Sequence, residues 1–412
     1  MNILIIIFCS IYFIRVLTIK IAAKKCRNKF TVDIDSIKLN SENLPFVSVI
    51  VPARNEEKNI KNCINSILNS NYPKEKFEII VVNDRSTDNT LSEITDLLEI
   101  NEANKNSNIK ICNIKSDAEK RNLQGKPGAI KVGIDAALGE IIMLTDADCT
   151  VNENWILTVA NSFNDEIAEQ ARNADSSQHT AQSNNCHTAL DAVSPIRKIG
   201  MVCSYTNVKS DKMFHYFQAA EWAYMSTYAC AGIGLNTVLG CFGNNIAITK
   251  EAYNKIGGYE NLKFSVTEDF ALLNAIFGAG FGVKYLCDKN STVETLPVEI
   301  FSEYMTQRKR WSIGAIDLGW KAFVYVFSSV CLWIAIILSA ISGNFYLLFL
   351  SIILRFLGDA LILFPVFDKL ENRYLKKWIP FSVCFYSFIE LLLPFTLLSK
   401  TVKWKGQIFK VK

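Results

Sequence analysis

Apolar residues fall into two kinds of run along this chain. Residues 3–19 (ILIIIFCSIYFIRVLTI), 322–341, 344–366 and 379–399 form long, almost unbroken runs of the length that crosses a bilayer as a helix. Between the first and second of these lie FVSVIVP (46–52), FEIIVVN (77–83), IKICNI (109–114) and EIIMLT (140–145). They are short and near-continuous, the pattern of parallel strands covered on both faces. Ile60, Ile64, Ile67 and Leu68 recur at helical spacing between the first two, and Ala129, Val132, Ala136 and Ala137 do so before the fourth. These βα units predict an α/β sheet domain over residues 46–298. Residues 164–198 are polar and aperiodic, which reads as a surface insertion within it.

The long runs predict a membrane arrangement around that domain. Residues 1–20 read as an N-terminal anchor, 21–45 as a linker, 299–321 as an interfacial helix region, 322–399 as C-terminal spans and 400–412 as a basic tail. Lys20, Lys24, Lys25, Arg27 and Lys29 follow the first run, so the N-terminus faces out and the sheet domain is cytoplasmic. A cleaved leader carries its cations ahead of the apolar core, so this anchor is retained, with Arg15 snorkelling to the inner surface. The tail sets up a conflict. Lys400, Lys403, Lys405, Lys410 and Lys412 favour the cytoplasmic side, whereas three spans end on the other. A re-entrant or interfacial segment removes the conflict, and Pro394 points to the last run. The number of true spans and the side of the tail stay open.

Composition narrows the chemistry. Half the residues are hydrophobic, yet 20% are charged, and the mean hydropathy is +0.16, as expected of a polar domain attached to membrane segments. A net charge of +4, with no basic run interleaved with aromatics in the central region, excludes nucleic acid as a partner. The twelve cysteines are scattered without a CxxC pair, and of three histidines, His179 and His187 lie in the polar insertion without acidic or thiol partners at ligand spacing. Zinc is excluded on that ground, and reduced thiols fit a cytoplasm-facing protein. No GxGxxG follows the first strand and no GxxxxGK[ST] occurs; GAGFG (278–282) reads as a loop after a helix.

Polar residues concentrate where the strands end. The first run exits into Pro52-Ala53-Arg54-Asn55-Glu56, the second into Asn83-Asp84-Arg85-Ser86 and the fourth into Asp146-Ala147-Asp148. Each alone is an ordinary turn or cap. Together they bring acids and amides to the carboxyl edge, where open α/β sheets bind ligands. Asp146 and Asp148, roughly 7 Å apart in extended backbone, turn toward one hard cation with only a slight bend, suiting Mg2+ or Mn2+ completed by a diphosphate. Ser265 to Glu268 fits a capping box, which makes Glu268 structural and leaves Asp269 to act as a general base.

The segments VSVIVPARNEEKNI, VVNDRSTDNT, GKPGAI, LTDADC, TEDF and QRKRW occur in the order found in membrane-embedded family 2 glycosyltransferases. The chain resembles that family, which includes polysaccharide synthases and ceramide glucosyltransferase, over about residues 46–320. The resemblance implies a GT-A domain, a Rossmann-like nucleotide-sugar-binding α/β fold flanked by transmembrane helices, with a donor that is usually a UDP-sugar. It places Pro52, Ala53, Asn55 and Glu56 along the nucleoside, Asp84 on base or ribose, and Lys126 on the nucleotide. Asp146 faces the nucleotide sugar, Asp148 holds the metal, Asp269 is the catalytic base, and Arg310 contacts the diphosphate. Gln307 and Trp311 shape the acceptor end. Phe242 and Gly243 fall in GCFGN (240–244), which resembles an acceptor-side FFxGS element with departures.

Arg308 and Lys309 are expected to meet lipid headgroups while Arg310 serves the phosphate. Arg355 and Asp359, one turn apart in an apolar run, read as a mutually neutralising pair, and WKGQ (404–407) with the tail lysines as an interfacial anchor. Two products fit: a single transfer to a lipid or lipid-linked acceptor at the inner membrane, or a polysaccharide grown processively. A third reading, of another class, is a noncatalytic nucleotide-sugar-binding partner of a synthase. The sugar, the acceptor, the preferred metal and any partner subunit stay open, and the absence of internal repeats excludes a transporter.

Overall fold

The computed structural model describes residues 1–30, 44–103, 108–120, 123, 125–163, 197–263, 265–397, 401–404 and 407–410. The polar insertion (apart from Arg197 and Lys198), its two histidines and most of the expected linker lie outside them.

The chain begins with helix α1 (Asn2–Lys29) and enters β1 (Val47–Ala53), α2 (Ile60–Leu68), β2 (Phe77–Asp84), α3 (Thr90–Ala103), β3 (Ile109–Ile114), α4 (Lys126–Ala136) and β4 (Ile141–Leu144). β1 to β4, α2 and α4 lie where the apolar runs and helical spacing place them, to within a few residues, whereas α3 is not among the expected helices and α1 runs well past the expected anchor. Next come β5 (Cys149–Val151), α5 (Trp155–Asn161), β6 (Ile199–Ser204), β7 (Thr206–Val208), α6 (Met213–Gly234), β8 (Ile246–Thr249), α7 (Lys250–Lys255), α8 (Glu268–Gly278), β9 (Gly282–Leu286) and β10 (Val293–Thr295). The C-terminal part is helix α9 (Phe301–Gly314), a short 3-10 turn at Ala315–Leu318, then α10 (Trp320–Ile341), α11 (Phe345–Lys369), α12 (Ile379–Leu397) and the hairpin β11 (Thr401–Trp404) and β12 (Gln407–Lys410).

Seven strands form one mixed sheet in the order β3-β2-β1-β4-β8-β6-β9. β3, β2, β1 and β4 run parallel, β8 is antiparallel to both its neighbours, and β6 pairs parallel with β9. Burial on both faces explains their near-continuous apolar sequence: every residue of β2 is buried, Glu78 included. A buried carboxylate needs donors. Glu78 Oε1 accepts from Ser48 Oγ (2.7 Å) and the Leu138 N–H (2.7 Å), and Oε2 pairs with Lys110 Nζ (2.6 Å).

Among the described residues four helical segments are long and apolar enough to cross a membrane: Asn2–Lys29, Trp320–Ile341, Phe345–Lys369 and Arg373–Leu397. At 28 residues α1 spans about 42 Å, more than the roughly 30 Å of a hydrocarbon core. The helix therefore continues through residues expected to be linker, and the surplus turns pack on the sheet domain. Ala22, Ala23 and Cys26 are buried there, and Cys26 Sγ lies 3.6 Å from the Tyr285 carbonyl oxygen of β9. α6 packs against α1, α11 and α12, and also against β7 and β9. One hydrophobic cluster consequently runs from Ile50 and Ile142 in the sheet through α6 to Tyr12 and Val16 of α1.

Candidate active site

The parallel strands deliver their loops to one edge of the sheet. Asn55 and Arg85 adopt positive φ (56° and 55°), turning the loops after β1 and β2 toward each other. Asn55 Oδ1 accepts from the Thr87 N–H (2.8 Å), and the Glu56 N–H donates to Thr90 Oγ1 (2.7 Å). Asn55, expected along the nucleoside, thus binds one loop to the other and does not line the cleft; Pro52, Ala53, Arg54 and Glu56 do. Asp84, 5% exposed, lies 3.1 Å from Arg85 Nε, whose guanidinium also reaches Asp117 through Nη2 (3.0 Å).

Beyond β4 the chain bends at once, the Cys149 N–H donating to the Asp146 carbonyl oxygen (3.1 Å). Lys126, the first residue of α4, pairs with Asp146, and its Nζ lies 3.9 Å from Glu268 Oε1. Burial pulls the Lys126 pKa down, but attraction from Asp146 and Glu268 outweighs it and raises the value, so the ammonium stays charged. The carboxylate of Asp269 sits beside this pair. Its Oδ2 accepts from the Gly243 N–H (2.8 Å) and its Oδ1 from the Phe270 N–H (2.8 Å). Burial and the neighbouring Glu268 push its pKa up to about 6, against the pull of those N–H groups and Lys126. A Cβ at Gly243 would lie 3.2 Å from the Asp269 Cβ and 3.5 Å from Lys126 Nζ, so a residue without a side chain allows this approach.

The expected capping box is not formed. Ser265 Oγ accepts from the Thr267 N–H (3.2 Å) and donates to Asp317 Oδ2 (2.7 Å), and no side chain caps α8. Glu268 faces Lys126 instead. A buried ammonium is the stronger partner for a carboxylate than a helix-end peptide N–H.

Asp146 and Asp148 fit a divalent cation of the hard, oxygen-preferring kind. Among the described residues no three His, Cys, Asp or Glu side chains converge as a complete ligand set, so a cation here needs oxygens from a ligand and water. The thiols of Cys63 and Cys149 lie beneath the pair, the Cys63 Sγ 3.5 Å from the Asp146 carbonyl oxygen and the Cys149 Sγ 3.4 Å from Asp148 Oδ1. Burial, then Asp148 and Asp146, push both thiols up.

Helix α9 carries QRKRW and closes the cleft from the other side. Arg308 is the surprise: it is 4% exposed and does not face lipid. Its Nε donates to both Glu221 oxygens (2.6 and 2.7 Å), Nη1 donates to Gln307 Oε1 (2.6 Å), and its guanidinium lies 4.1 Å from the ring centres of both Tyr304 and Trp311. Helical periodicity turns position 308 inward onto α6, while Gln307, Arg310 and Trp311 line the cleft. Trp311 packs edge-on to Trp222 (5.2 Å, 81°) and Phe242 (5.9 Å, 65°). A Cβ at Gly314 would fall 2.2 Å from Thr267 Cγ2, so α9 is docked directly on the loop that presents Glu268 and Asp269.

These residues line one cleft of about 1630 Å³, which runs from Asp84, Asp146, Asp148 and Asp269 past Trp311 to the inner faces of α10 and α12. It gathers every expected site residue except Asn55. The sequence reading missed Glu221, Trp222 and the far end, where Arg15, Trp333 and Glu390 line the wall. The pair Arg355 and Asp359 is held at 3.8 Å, and Arg355 Nη2 also reaches Glu390 Oε1 (2.8 Å), a partner 31 residues beyond Asp359 that no i, i+4 rule detects. A charged residue isolated in an apolar run was the available signal for Arg15 and Glu390; nothing in the local sequence marks Glu221.

Comparison with known proteins adds descent to this geometry. The chain is similar over 286 residues to the probable glycosyltransferase YdaM of Bacillus subtilis (25% identity, 69% of this chain and 59% of that one). It is similar over 120 residues to the β-monoglucosyldiacylglycerol synthase of Nostoc sp. (32% identity, 29% of this chain and 24% of that one). The matches thus span less than two thirds of these relatives' own length. Among solved structures, the mannosyltransferase PcManGT from Pyrobaculum calidifontis, in complex with GDP-Man and Mn2+, aligns over 93% of this chain and 98% of its own with a TM-score of 0.54 and 16% identity. That likeness is one of fold, and the fold is GT-A. The glycosyl transferase family 21 model matches residues 186–412, and the glycosyl transferase family 2 model matches residues 48–257, from β1 through α7. With half its length under the latter, the chain belongs to glycosyl transferase family 2.

Proposed function

We propose that the protein transfers a sugar, with inversion, from a nucleotide sugar to a hydroxyl of a lipid or lipid-linked acceptor, at the cytoplasmic face of the cell membrane. The observation that carries this reading is the single cleft joining the acids of the sheet edge to helices α10 and α12. A donor bound at the strand ends and an acceptor rising from the bilayer meet at Asp269. Residues 46–298 are the catalytic unit, α9 is its interfacial helix, and the cations in the last turns of α1 favour a cytoplasmic sheet domain.

In the reaction, one Asp269 oxygen takes the proton of the acceptor hydroxyl as that oxygen attacks the anomeric carbon, and the bond from that carbon to the diphosphate breaks. A pKa near 6 leaves Asp269 ionised yet basic at neutral pH. Arg310 neutralises charge on the departing diphosphate by bidentate contact. Lys126 holds Asp146 in place, and the pocket of Pro52, Ala53, Glu56 and Asp84 receives the nucleoside. A divalent cation, Mg2+ or Mn2+, held by Asp148 with Asp146 would supply Lewis-acid stabilisation of the leaving group. Gln307, Phe242, Gly243 and Trp311 border the acceptor, with the Trp311 face suited to stacking on a sugar ring.

The resemblance points to UDP as the nucleotide, whereas the fold relative PcManGT was solved with GDP-Man, so both belong in the test. The Nostoc relative is named a β-monoglucosyldiacylglycerol synthase, which supports a lipid acceptor. The test is nucleotide release by the purified protein in host-lipid nanodiscs with UDP- and GDP-sugars and divalent metal. Donor-specific release, lost in Asp269→Asn, is expected, with one glycolipid product by mass spectrometry. A polymer ladder would favour the processive reading; no release above the variant, with nucleotide binding retained, would favour the noncatalytic one.

A further inference from the structure

The membrane end of the cleft is furnished with hydrogen-bond donors that lack acceptors. Arg15, midway along α1, presents its guanidinium 4.7 Å from the Tyr12 ring centre and 5.8 Å from that of Tyr228, and Nη1 donates to Ser329 Oγ (3.4 Å). Its Nε and Nη2 are buried and make no hydrogen bond, and the same holds for the hydroxyl of Tyr325. Tyr325 packs on Tyr228 at 4.7 Å, and Tyr228 shares a hydrogen bond with Tyr224 (2.9 Å). Arg15, Tyr224, Tyr228, Tyr325 and Ser329 all line the cleft.

The acids nearby pair with Arg355 rather than with Arg15, and Asp359 keeps one buried oxygen, Oδ1, without a hydrogen bond. Glu390 accepts from Arg355 Nη2 (2.8 Å) and from Trp333 Nε1 (3.1 Å), and Asp359 lies 3.8 Å from Arg355 Nε. No carboxylate among the described residues forms an ion pair with Arg15. A buried guanidinium with no carboxylate in direct contact and two nitrogens without hydrogen bonds gains from an anion that accepts from them. Arg15 lies five residues from Lys20, about 7.5 Å along the helix, just inside the cytoplasmic boundary expected of α1.

We propose that this end of the cleft binds the phosphate of an anionic lipid acceptor. The inference rests on the lipid-acceptor reading and narrows it to lipids whose head group is joined through a phosphate ester or diphosphate. The phosphate oxygens take the free donors of Arg15 and Tyr325. The hydroxyl-bearing head group then extends toward Asp269, and the tails lie along the apolar wall of Val326, Val330, Ile334, Ile337, Leu391 and Phe395. The α10 members of that wall recur at three- and four-residue intervals, one helical face.

Lipid retention by the full-length protein in detergent, read by native mass spectrometry, tests this without turnover. Dioleoylphosphatidylglycerol and dioleoylglycerol compete at equal mole fraction. The expected result is retention of the phosphatidylglycerol by about tenfold over the neutral lipid, falling to parity in Arg15→Gln, since a charge-assisted hydrogen bond is of that order. Arg15→Lys keeps part of the preference, and Tyr325→Phe, which removes a hydroxyl the fold does not use, lowers it without loss of folding. Equal retention of the two lipids by the native protein overturns the proposal, as does a preference unchanged in both Arg15→Gln and Tyr325→Phe. Displacement of the lipid by millimolar inorganic phosphate overturns the lipid assignment in favour of a free-anion site. Selective retention without sugar transfer would instead strike the transferase reading alone, and transfer to the neutral lipid independent of Arg15 would strike this one alone.

Discussion

The two ends of the cleft are built from opposite deficits. At the sheet edge Glu56, Asp84, Asp146, Asp148, Glu268 and Asp269 line a wall to which Arg54, Lys126 and Arg310 contribute cations, so acceptor oxygens dominate. At the helical end the guanidinium of Arg15 and the hydroxyl of Tyr325 hold donors without partners. An acid-rich edge suits a metal-bound diphosphate and a proton transfer; a donor-rich end suits an anion that stays put. Between them the rings of Trp222, Phe242 and Trp311, braced by Arg308 on Glu221, form an aromatic divider. Acceptor-rich and donor-rich ends thus share one continuous space.

Breaking the acid end should have the largest effect. Asp269→Asn is expected to lower kcat by about 10²–10⁴-fold, the range for a lost general base, while lipid retention at the other end is unchanged. A parallel loss of lipid retention would show that the ends are not independent.

The divider comes next. Arg308→Ala leaves Glu221 without its guanidinium, and a cost of about 3–5 kcal/mol in stability is expected, read as a lowered thermal midpoint in detergent. The double variant Arg308→Met with Glu221→Leu should recover most of it, because both charges then leave the interior. If Arg308 instead met lipid, the single variant would be nearly silent.

The acid end also carries a pH signature. Asp269 must be ionised to accept a proton, so kcat/KM should fall about tenfold per unit as pH drops below about 6 and be level above it. The stability linkage has the opposite sense. The folded carboxyl holds its proton more tightly than an unfolded one, so ionisation works against the fold as pH rises from the ordinary aspartate range to about 6, and the effect is constant above that.

The smallest effect tests how tightly the edge is packed. Gly243→Ala brings a methyl to 3.2 Å from the Asp269 Cβ, and a drop in kcat of roughly tenfold with little change in donor KM is expected from the displaced base. A change confined to donor KM would instead assign Gly243 to the nucleotide.

What the sequence determined by itself is local. Near-continuous Val and Ile runs marked β1 to β4 because strands covered on both faces have no polar side to show, and the long apolar runs marked α1, α10, α11 and α12 for the same reason in another solvent. The strand-end acids and the ordered motifs were equally legible, since each is a short stretch with its chemistry written in adjacent residues. Tertiary structure decided everything that depended on which face meets which neighbour. Arg308 and Arg310 are two residues apart and chemically identical, yet 308 turns onto Glu221 of α6, 87 positions back in the chain, and 310 onto the cleft. The capping box of Ser265 and Glu268 matched its local pattern and still did not form, because Lys126 from a distant helix offers the stronger partner. Arg15 was legible as a charge in an apolar helix; that it faces the same cleft as Asp269 follows only from the packing of α1 on α6, α10 and α11, which no local pattern encodes.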